Sequence, residues 1–187
     1  MLTLDRMYSH KNIRLHPKNY VGQMAIFATL CCFERRPNFE RSESCSATSQ
    51  ILREAAASRN FAVHAYCFMP DHLHLLVEGR GANSDFLNFI KTFKLRSTRS
   101  FARSIDSPLW QKKFFDHILR SSESIDSVAL YIWLNPVRAG LAKNMGEYPF
   151  AGSLTSQLPR TWPAQIIWTP PKIAKSPPQK AASTHEA

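Results

Sequence analysis

The stretch FAVHAYCFMPDHLHLLVE, residues 61–78, decides the fold of this chain. Residues 61–69 form an apolar run of strand length, Pro70-Asp71 is a turn signal, and residues 72–78 have the pattern of a second strand. Strands joined by so short a turn can pair only as an antiparallel hairpin. Alternation along the second strand places His72 and His74 on one face of the sheet and Leu73 on the other.

Weaker patterns on both sides extend the hairpin into an α+β domain. Residues 23–32 predict an earlier strand, and residues 46–58 carry apolar side chains at helical spacing. Beyond the hairpin we predict an amphipathic helix over 85–103, a short strand over 114–119, and a helix capped by Ser121 or Ser122 that runs through Ile132. This order of elements is ferredoxin-like. We expect an antiparallel sheet with helices on one face, and the other face or an edge left for a partner.

The composition divides the chain into three segments. Residues 1–20 are predicted to be a basic N-terminal arm, and residues 21–154 a single domain with a real core. Six of the twelve prolines lie between Pro159 and Pro178. The Pro-rich tail, residues 155–187, is therefore predicted to be disordered.

The sequence favours a cytoplasmic protein. No run of about 18 apolar residues is present, as a membrane-spanning helix would need. The N-terminal residues also lack the apolar segment and small-residue cleavage site of a secretory signal.

Basic residues are concentrated in one part of the chain. The formal net charge is +10, and residues 80–120 contain nine basic residues against three acidic ones. Such a concentration favours a polyanionic partner, because each neutralised phosphate releases counterions. A merely soluble basic surface remains the alternative from charge alone.

Two pairs of residues have the spacing of a chemical site. His72 and His74, on one strand face, can both reach one metal ion, although most such pairs are ordinary histidines. Tyr131 and Asn135 are four residues apart, so on a helix they share a face, and the asparagine can offer a neutral oxygen to a hard cation. A core tyrosine and a helix C-terminal cap are the alternatives, and Pro136 weakens helical geometry at Asn135.

A tyrosine beside a bound metal is suited to cutting and rejoining DNA. The phenolate attacks phosphorus and later leaves it, so a phosphotyrosine bond preserves the energy of the broken phosphodiester. A metal ion there polarises the phosphate and stabilises charge in the transition state. Together these features predict strand transfer rather than simple hydrolysis.

Three segments in this order resemble the REP-associated tyrosine transposases, which belong with the single-tyrosine HUH transposases of small insertion sequences. They are YCFMPDHLHLL at 66–76, LWQKKF at 109–114 and YIWLNPVRAGL at 131–141. The similarity runs from about residue 23 to residue 153 and includes Tyr148, Pro149, Phe150 and Ser153. The family's fold is the ferredoxin-like one predicted from the pattern.

The resemblance implies roles for individual residues. His72, His74 and Asn135 match the ligands of a divalent metal, Mg²⁺ or Mn²⁺, and Tyr131 matches the nucleophile. The implied reaction cleaves single-stranded DNA beside a hairpin through a 5′-phosphotyrosine link. Lys91, Lys94, Arg99 and Arg138 are candidate DNA contacts. Trp110 and Trp133 could stack on unpaired bases or lie buried.

Other functions stay open at this point. A domesticated protein could hold a hairpin without cutting it, a metal-dependent nuclease could use water, and a rolling-circle replication initiator or relaxase would share the chemistry. We place the candidate site at a sheet edge beside a helix. Relatives occur as monomers and dimers, so the oligomeric state is left undecided.

Overall fold

The computed structural model describes residues 15–102, 107–155 and 168–171. Five strands within them form one antiparallel sheet with the order β4-β1-β3-β2-β5. The elements are β1 (Ala25–Cys31), α1 (Ser42–Ser58), β2 (Phe61–Met69), β3 (His72–Gly79), α2 (Phe86–Phe101), β4 (Phe115–Ile118), α3 (Ile125–Trp133), α4 (Asn135–Arg138) and β5 (Ala151–Gly152). Short 3-10 helices cover Pro17–Tyr20 and Phe33–Arg35. The predicted α+β, ferredoxin-like class is confirmed.

The predicted hairpin lies in the middle of the sheet. β3 pairs along its length with β2 on one side and with β1 on the other. The histidine strand is therefore central, and our placement of the site at a sheet edge is wrong. Strand order depends on contacts between distant segments, and the hairpin pattern alone does not contain it.

Helices cover both faces of the sheet rather than one. Leu73, Leu75 and Val77 of β3 belong to a core shared with α1 and α2. The opposite face, here called the α3 face, carries Phe27, Cys67 and Leu76 and packs against α3. The members of α3 buried there are Val128, Ala129, Ile132 and Trp133. Both faces of β3 are covered by packed side chains, which explains why its sequence is an almost continuous apolar run apart from the two histidines.

Helix starts follow side-chain capping. Asp85 accepts a hydrogen bond from the Asn88 amide at the start of α2, as its sequence position suggests. α3 is capped by Ser124, which accepts from the Ser127 amide, so the predicted cap at Ser121 or Ser122 is wrong. The preceding turn is closed instead by Glu123, whose carboxylate accepts from the Arg120 amide.

The folded domain extends at both ends into segments that we predicted to be the N-terminal arm and the tail. Tyr20, which we assigned to the N-terminal arm, is 1% exposed and stacks on Phe86. Trp168, which we assigned to the tail, is buried on the α3 face. Most of both predicted segments, residues 1–14, 156–167 and 172–187, lies outside the described residues. Among the helices that are described, none has the length and apolar character needed to cross a membrane.

Candidate active site

The two predicted ligands converge on the α3 face. The Nε2 atoms of His72 and His74 are 3.1 Å apart, and their rings are nearly perpendicular. Two ligands on one ion with bonds of about 2.1 Å and an angle near 90° are separated by about 3 Å. The inner nitrogens of the pair thus have the spacing of adjacent ligands on a single metal ion.

The outer nitrogens of the pair have separate partners. His72 Nδ1 lies 2.6 Å from a carboxylate oxygen of Asp71, and His74 Nδ1 lies 3.0 Å from the Thr29 hydroxyl. Because a carboxylate only accepts hydrogen bonds, Asp71 holds the His72 proton on Nδ1 and leaves a lone pair on Nε2. Outer partners of this kind orient histidine ligands in metal sites.

Burial keeps both imidazoles neutral. Loss of solvent lowers the pKa of His72, and the Asp71 carboxylate opposes that effect. His74 is almost completely enclosed, and burial holds its pKa well below the usual range, with the nearby charge of Arg138 adding to the effect. Neutral imidazole is the form that binds metal ions.

Tyr131 lies on α3 beside the histidine pair. Its ring centroid is 6.3 Å from that of His74 and 6.0 Å from that of Phe27. Arg138 lies over the phenol ring, with its guanidinium carbon 4.2 Å from the ring centroid, and also donates to the Tyr131 carbonyl oxygen at 3.1 Å. The contacts of Tyr131 therefore fix the position of its ring beside the histidine pair.

Asn135 follows the end of α3. Its amide nitrogen donates to the carbonyl oxygens of Tyr131 at 3.0 Å and Ile132 at 3.2 Å, and Pro136 begins the next helical turn. Asn135 thus caps the C-terminal end of α3, one of the two roles that the sequence allowed. Because only the amide nitrogen makes these bonds, the amide oxygen can accept another partner. Within the described ranges, no group of three or more His, Cys, Asp or Glu side chains could hold a metal ion.

The predicted DNA contacts lie in two places. Arg138 is at the site, whereas Lys91, Lys94 and Arg99 are on α2, across the sheet from the histidine pair. Lys91 and Arg99 are exposed, while the Lys94 ammonium donates to the carbonyl oxygens of Gln111 and Lys112.

Neither tryptophan considered for base stacking is available for it. Trp110 is 4% exposed and donates to Ser97, and Trp133 is 6% exposed and donates to the Gly152 carbonyl oxygen. Burial is therefore the correct interpretation of both side chains.

The sequence interpretation missed four residues around the site. Asp71 adjoins His72 in the sequence, so adjacency was an available signal. Thr29 faces His74 only through the register of β1 with β3, and Arg35 reaches Asp71 from the 3-10 helix Phe33–Arg35. Trp168 contacts Tyr131 with ring centroids 5.1 Å apart and donates to Glu123, which also contacts His117. No local pattern indicates the last three.

The protein has a ferredoxin-like sheet, paired histidines on its central strand and a tyrosine beside them. We expected this combination for a DNA transposase. Residues 20–134 match the family model described as "Transposase IS200 like". The match covers more than half of the chain, and the protein belongs to this transposase family.

Individual relatives agree with this assignment. The REP-associated tyrosine transposase of Escherichia coli (strain K12) is 26% identical over 115 residues, 59% of this chain and 68% of that protein. A Haemophilus influenzae protein, named provisionally as the same kind of transposase, is 26% identical over 102 residues, 49% of this chain and 58% of its own length.

A solved structure shares the fold. It is the REP-associated tyrosine transposase bound to a REP hairpin, with a TM-score of 0.63, 22% sequence identity, and coverage of 74% of this chain and 79% of that chain.

Proposed function

We propose that this protein cleaves and rejoins single-stranded DNA beside a hairpin, with Tyr131 as the nucleophile. The observation that carries the proposal is the position of the Tyr131 ring, 6.3 Å from that of His74, on the sheet face where the two Nε2 atoms converge. A tyrosine with a purely structural role does not require two converging histidine nitrogens beside its ring. Membership of the transposase family supplies the reaction class.

The proposed reaction forms and breaks one bond at phosphorus. The Tyr131 hydroxyl oxygen attacks the phosphate, the bond from phosphorus to the 3′-oxygen breaks, and the phenol proton passes through solvent to that oxygen. The products are a 5′-phosphotyrosine and a free 3′-hydroxyl group. Attack by another 3′-hydroxyl reverses these changes and releases Tyr131, so strands are joined without ATP.

We infer that a divalent metal, Mg²⁺ or Mn²⁺, binds His72, His74 and the amide oxygen of Asn135. The 3.1 Å separation of the Nε2 atoms and the outward hydrogen bonds of both Nδ1 atoms support the histidine ligands. The hydrogen bonds of the Asn135 nitrogen leave its oxygen available. When bound, such an ion withdraws charge from the phosphate under attack.

Arg138 has two roles in this proposal. Its contact with the ring and its hydrogen bond to the Tyr131 carbonyl oxygen restrict the orientation of the phenol. Its positive charge, 4.2 Å from the centre of the phenol ring, favours the approach of a phosphate.

The proposed substrate is a single strand with a short hairpin. A related structure holds a REP hairpin, and a lone nucleophile acts on one strand at a time. The exposed positions of α2 include Lys91, Arg96 and Arg99, and such side chains favour phosphates over the base edges of a major groove.

We expect a single strand carrying a hairpin to be cut and to bind more tightly than the same sequence as perfect duplex, by at least about tenfold. The measurement uses labelled DNA from the flanks of the protein's own gene with Mg²⁺ or Mn²⁺, with filter binding for the affinity and a denaturing gel for cleavage. A protein–DNA adduct is the expected product. Tighter binding to plain duplex, with both strands cut, would contradict the proposal.

The same two measurements separate the alternatives. Cleavage without an adduct would indicate a nuclease that uses water, and hairpin binding without cleavage in either metal would indicate a protein that only holds the hairpin. Both outcomes would remove the nucleophile role from Tyr131.

For α2, we expect Lys91→Ala and Arg99→Ala each to weaken hairpin binding and to reduce the salt dependence by roughly one unit or less per residue. Both side chains are exposed, and neither is among the ion pairs of the described residues. Filter binding across a salt series is the measurement. Arg41→Ala is the matched control, since Arg41 is exposed but paired with Glu43.

Lys94→Ala is expected to weaken binding as well, but its contacts with two carbonyl oxygens make a loss of thermal stability part of the effect. Identical salt slopes in the wild type, Lys91→Ala and Arg99→Ala would place the DNA away from α2.

A further inference from the structure

Arg35 forms an ion pair with the carboxylate that holds His72. Arg35 Nε lies 2.7 Å from Asp71 Oδ2, and the other oxygen of that carboxylate, Oδ1, lies 2.6 Å from His72 Nδ1. Each oxygen of Asp71 thus has one partner, and the carboxylate cannot rotate without losing a hydrogen bond. The contacts form a continuous line from Arg35 to the Nε2 atom of His72.

Arg35 belongs to the loop 32–39, which includes the 3-10 helix Phe33–Arg35 and holds this side chain in place. Glu34 and Arg35 both have left-handed backbone conformations, with φ of 52° and 57°, which are uncommon for residues other than glycine. The Arg35 guanidinium also donates to the Cys31 sulfur at 2.8 Å. A strained loop and a second anchor together fix the direction of the side chain.

Backbone hydrogen bonds tie this loop to the hairpin turn. The Cys32 amide donates to the Asp71 carbonyl oxygen, and the Phe39 amide donates to that of Pro70, both at 2.9 Å. Cys31 is also the register partner of His72. Arg35 and Asp71 therefore belong to one rigid corner of the sheet, although they are far apart in sequence.

We propose that Arg35 is a positioning residue, which fixes the orientation and tautomer of His72 through Asp71. The inference rests on the proposed metal site, toward which His72 Nε2 is directed. Arg35 touches neither His72 nor His74. Its effect passes through one carboxylate, which it also prevents from turning toward a bound ion.

The direction in which one substitution changes the Mn²⁺ affinity distinguishes a positioning role from a simple charge effect. Removing a positive charge near a cation site raises cation affinity by Coulomb's law. Arg35→Gln should instead lower Mn²⁺ affinity, by about tenfold, as loss of an outer-shell partner does in metal sites. A positioning role and a bulk charge effect therefore predict opposite results.

The experiment measures Mn²⁺ binding by calorimetry for the wild type, Arg35→Gln, Asp71→Asn and the double variant. The double variant should bind no more weakly than Asp71→Asn, because both changes interrupt the same line of contacts. Arg36→Gln is the control, since Arg36 pairs with Glu34 and Ser107 and has no contact with Asp71. Its affinity should be unchanged or slightly higher.

A second readout needs no metal. Long-range ¹H–¹⁵N NMR of the histidine rings should give the Nδ1–H tautomer for His72 in the wild type and a partial shift to Nε2–H in Arg35→Gln. Should the wild type bind no Mn²⁺, the proposed metal site fails and this tautomer shift alone decides the role of Arg35. An unchanged tautomer, or tighter Mn²⁺ binding in Arg35→Gln, would overturn the inference.

Discussion

Replacing Tyr131 with phenylalanine should abolish the covalent protein–DNA adduct, a loss of about 10⁴-fold or more, as for nucleophiles that act as part of a catalytic unit. The variant removes one oxygen atom. The contacts of Tyr131 with Phe27, His74 and Arg138 involve its ring and its backbone, so the packing of α3 should be preserved. Hairpin binding should stay within about twofold of the wild type, because phosphate contacts dominate affinity.

Two other tyrosines serve as matched controls for this prediction. Tyr148→Phe should retain the adduct, because the Tyr148 hydroxyl donates to the Phe68 carbonyl oxygen and burial raises its pKa, which makes it a poor nucleophile. Tyr66→Phe should also retain it, because Tyr66 packs with the core on the α1 and α2 side of the sheet. An adduct of full yield in Tyr131→Phe would assign the nucleophile to another residue.

His72→Ala and His74→Ala should each eliminate cleavage and lower Mn²⁺ affinity by at least about 100-fold, more than the usual effect of removing an outer-shell partner. The reason is that each imidazole supplies one of two nitrogens 3.1 Å apart. Calorimetric titration with Mn²⁺ is the measurement, with circular dichroism to verify the fold. His74→Ala should also lose some stability, because His74 stacks on Phe27 within the core.

A third histidine provides the control. His64 lies on β2, outside the site, and pairs with the Glu78 carboxylate at 2.9 Å. His64→Ala therefore removes an imidazole in a similar setting without touching the proposed metal ligands. Its Mn²⁺ affinity should equal that of the wild type. If His72→Ala and His74→Ala also leave the affinity unchanged, both histidines are structural.

The pH dependence of metal binding follows from the direction of the pKa shifts. Protons compete with the metal for both imidazoles, and burial lowers both pKa values below the usual histidine value of about 6.5. Mn²⁺ affinity should therefore be constant as the pH falls from 8 to about 6.5 and decline only below that value. A decline centred at or above pH 7 would imply exposed, unperturbed histidines.

The β2–β3 hairpin was the part of the fold that the sequence predicted best. β2 begins and ends where the apolar run does, and β3 begins at His72, because a two-residue turn leaves no freedom in the pairing. The common face of His72 and His74 follows from strand alternation alone. The proximity of Tyr131 to them was implied by family resemblance, since no periodicity relates a helix to a strand more than fifty residues earlier.

Other features depended on contacts that local patterns do not contain. The three serines before α3 are equivalent as caps in the sequence, and the choice of Ser124 depends on Glu123 closing the turn before it. Lys94 has the charge of a DNA contact, but the carbonyl oxygens that it binds belong to a loop that follows α2. The burial of Trp168 depends on ring contacts with Phe27 and Tyr131, which form only in the folded chain.

The central position of β3 also affects how the site is acquired during folding. The β2–β3 hairpin can form early, since loop closure over a two-residue turn costs little entropy. His74, however, obtains its Thr29 partner from a strand 45 residues earlier in the chain, and its tyrosine neighbour from a helix well after it. Metal affinity should therefore appear only in the last cooperative step, and Mn²⁺ should slow unfolding more than it speeds refolding.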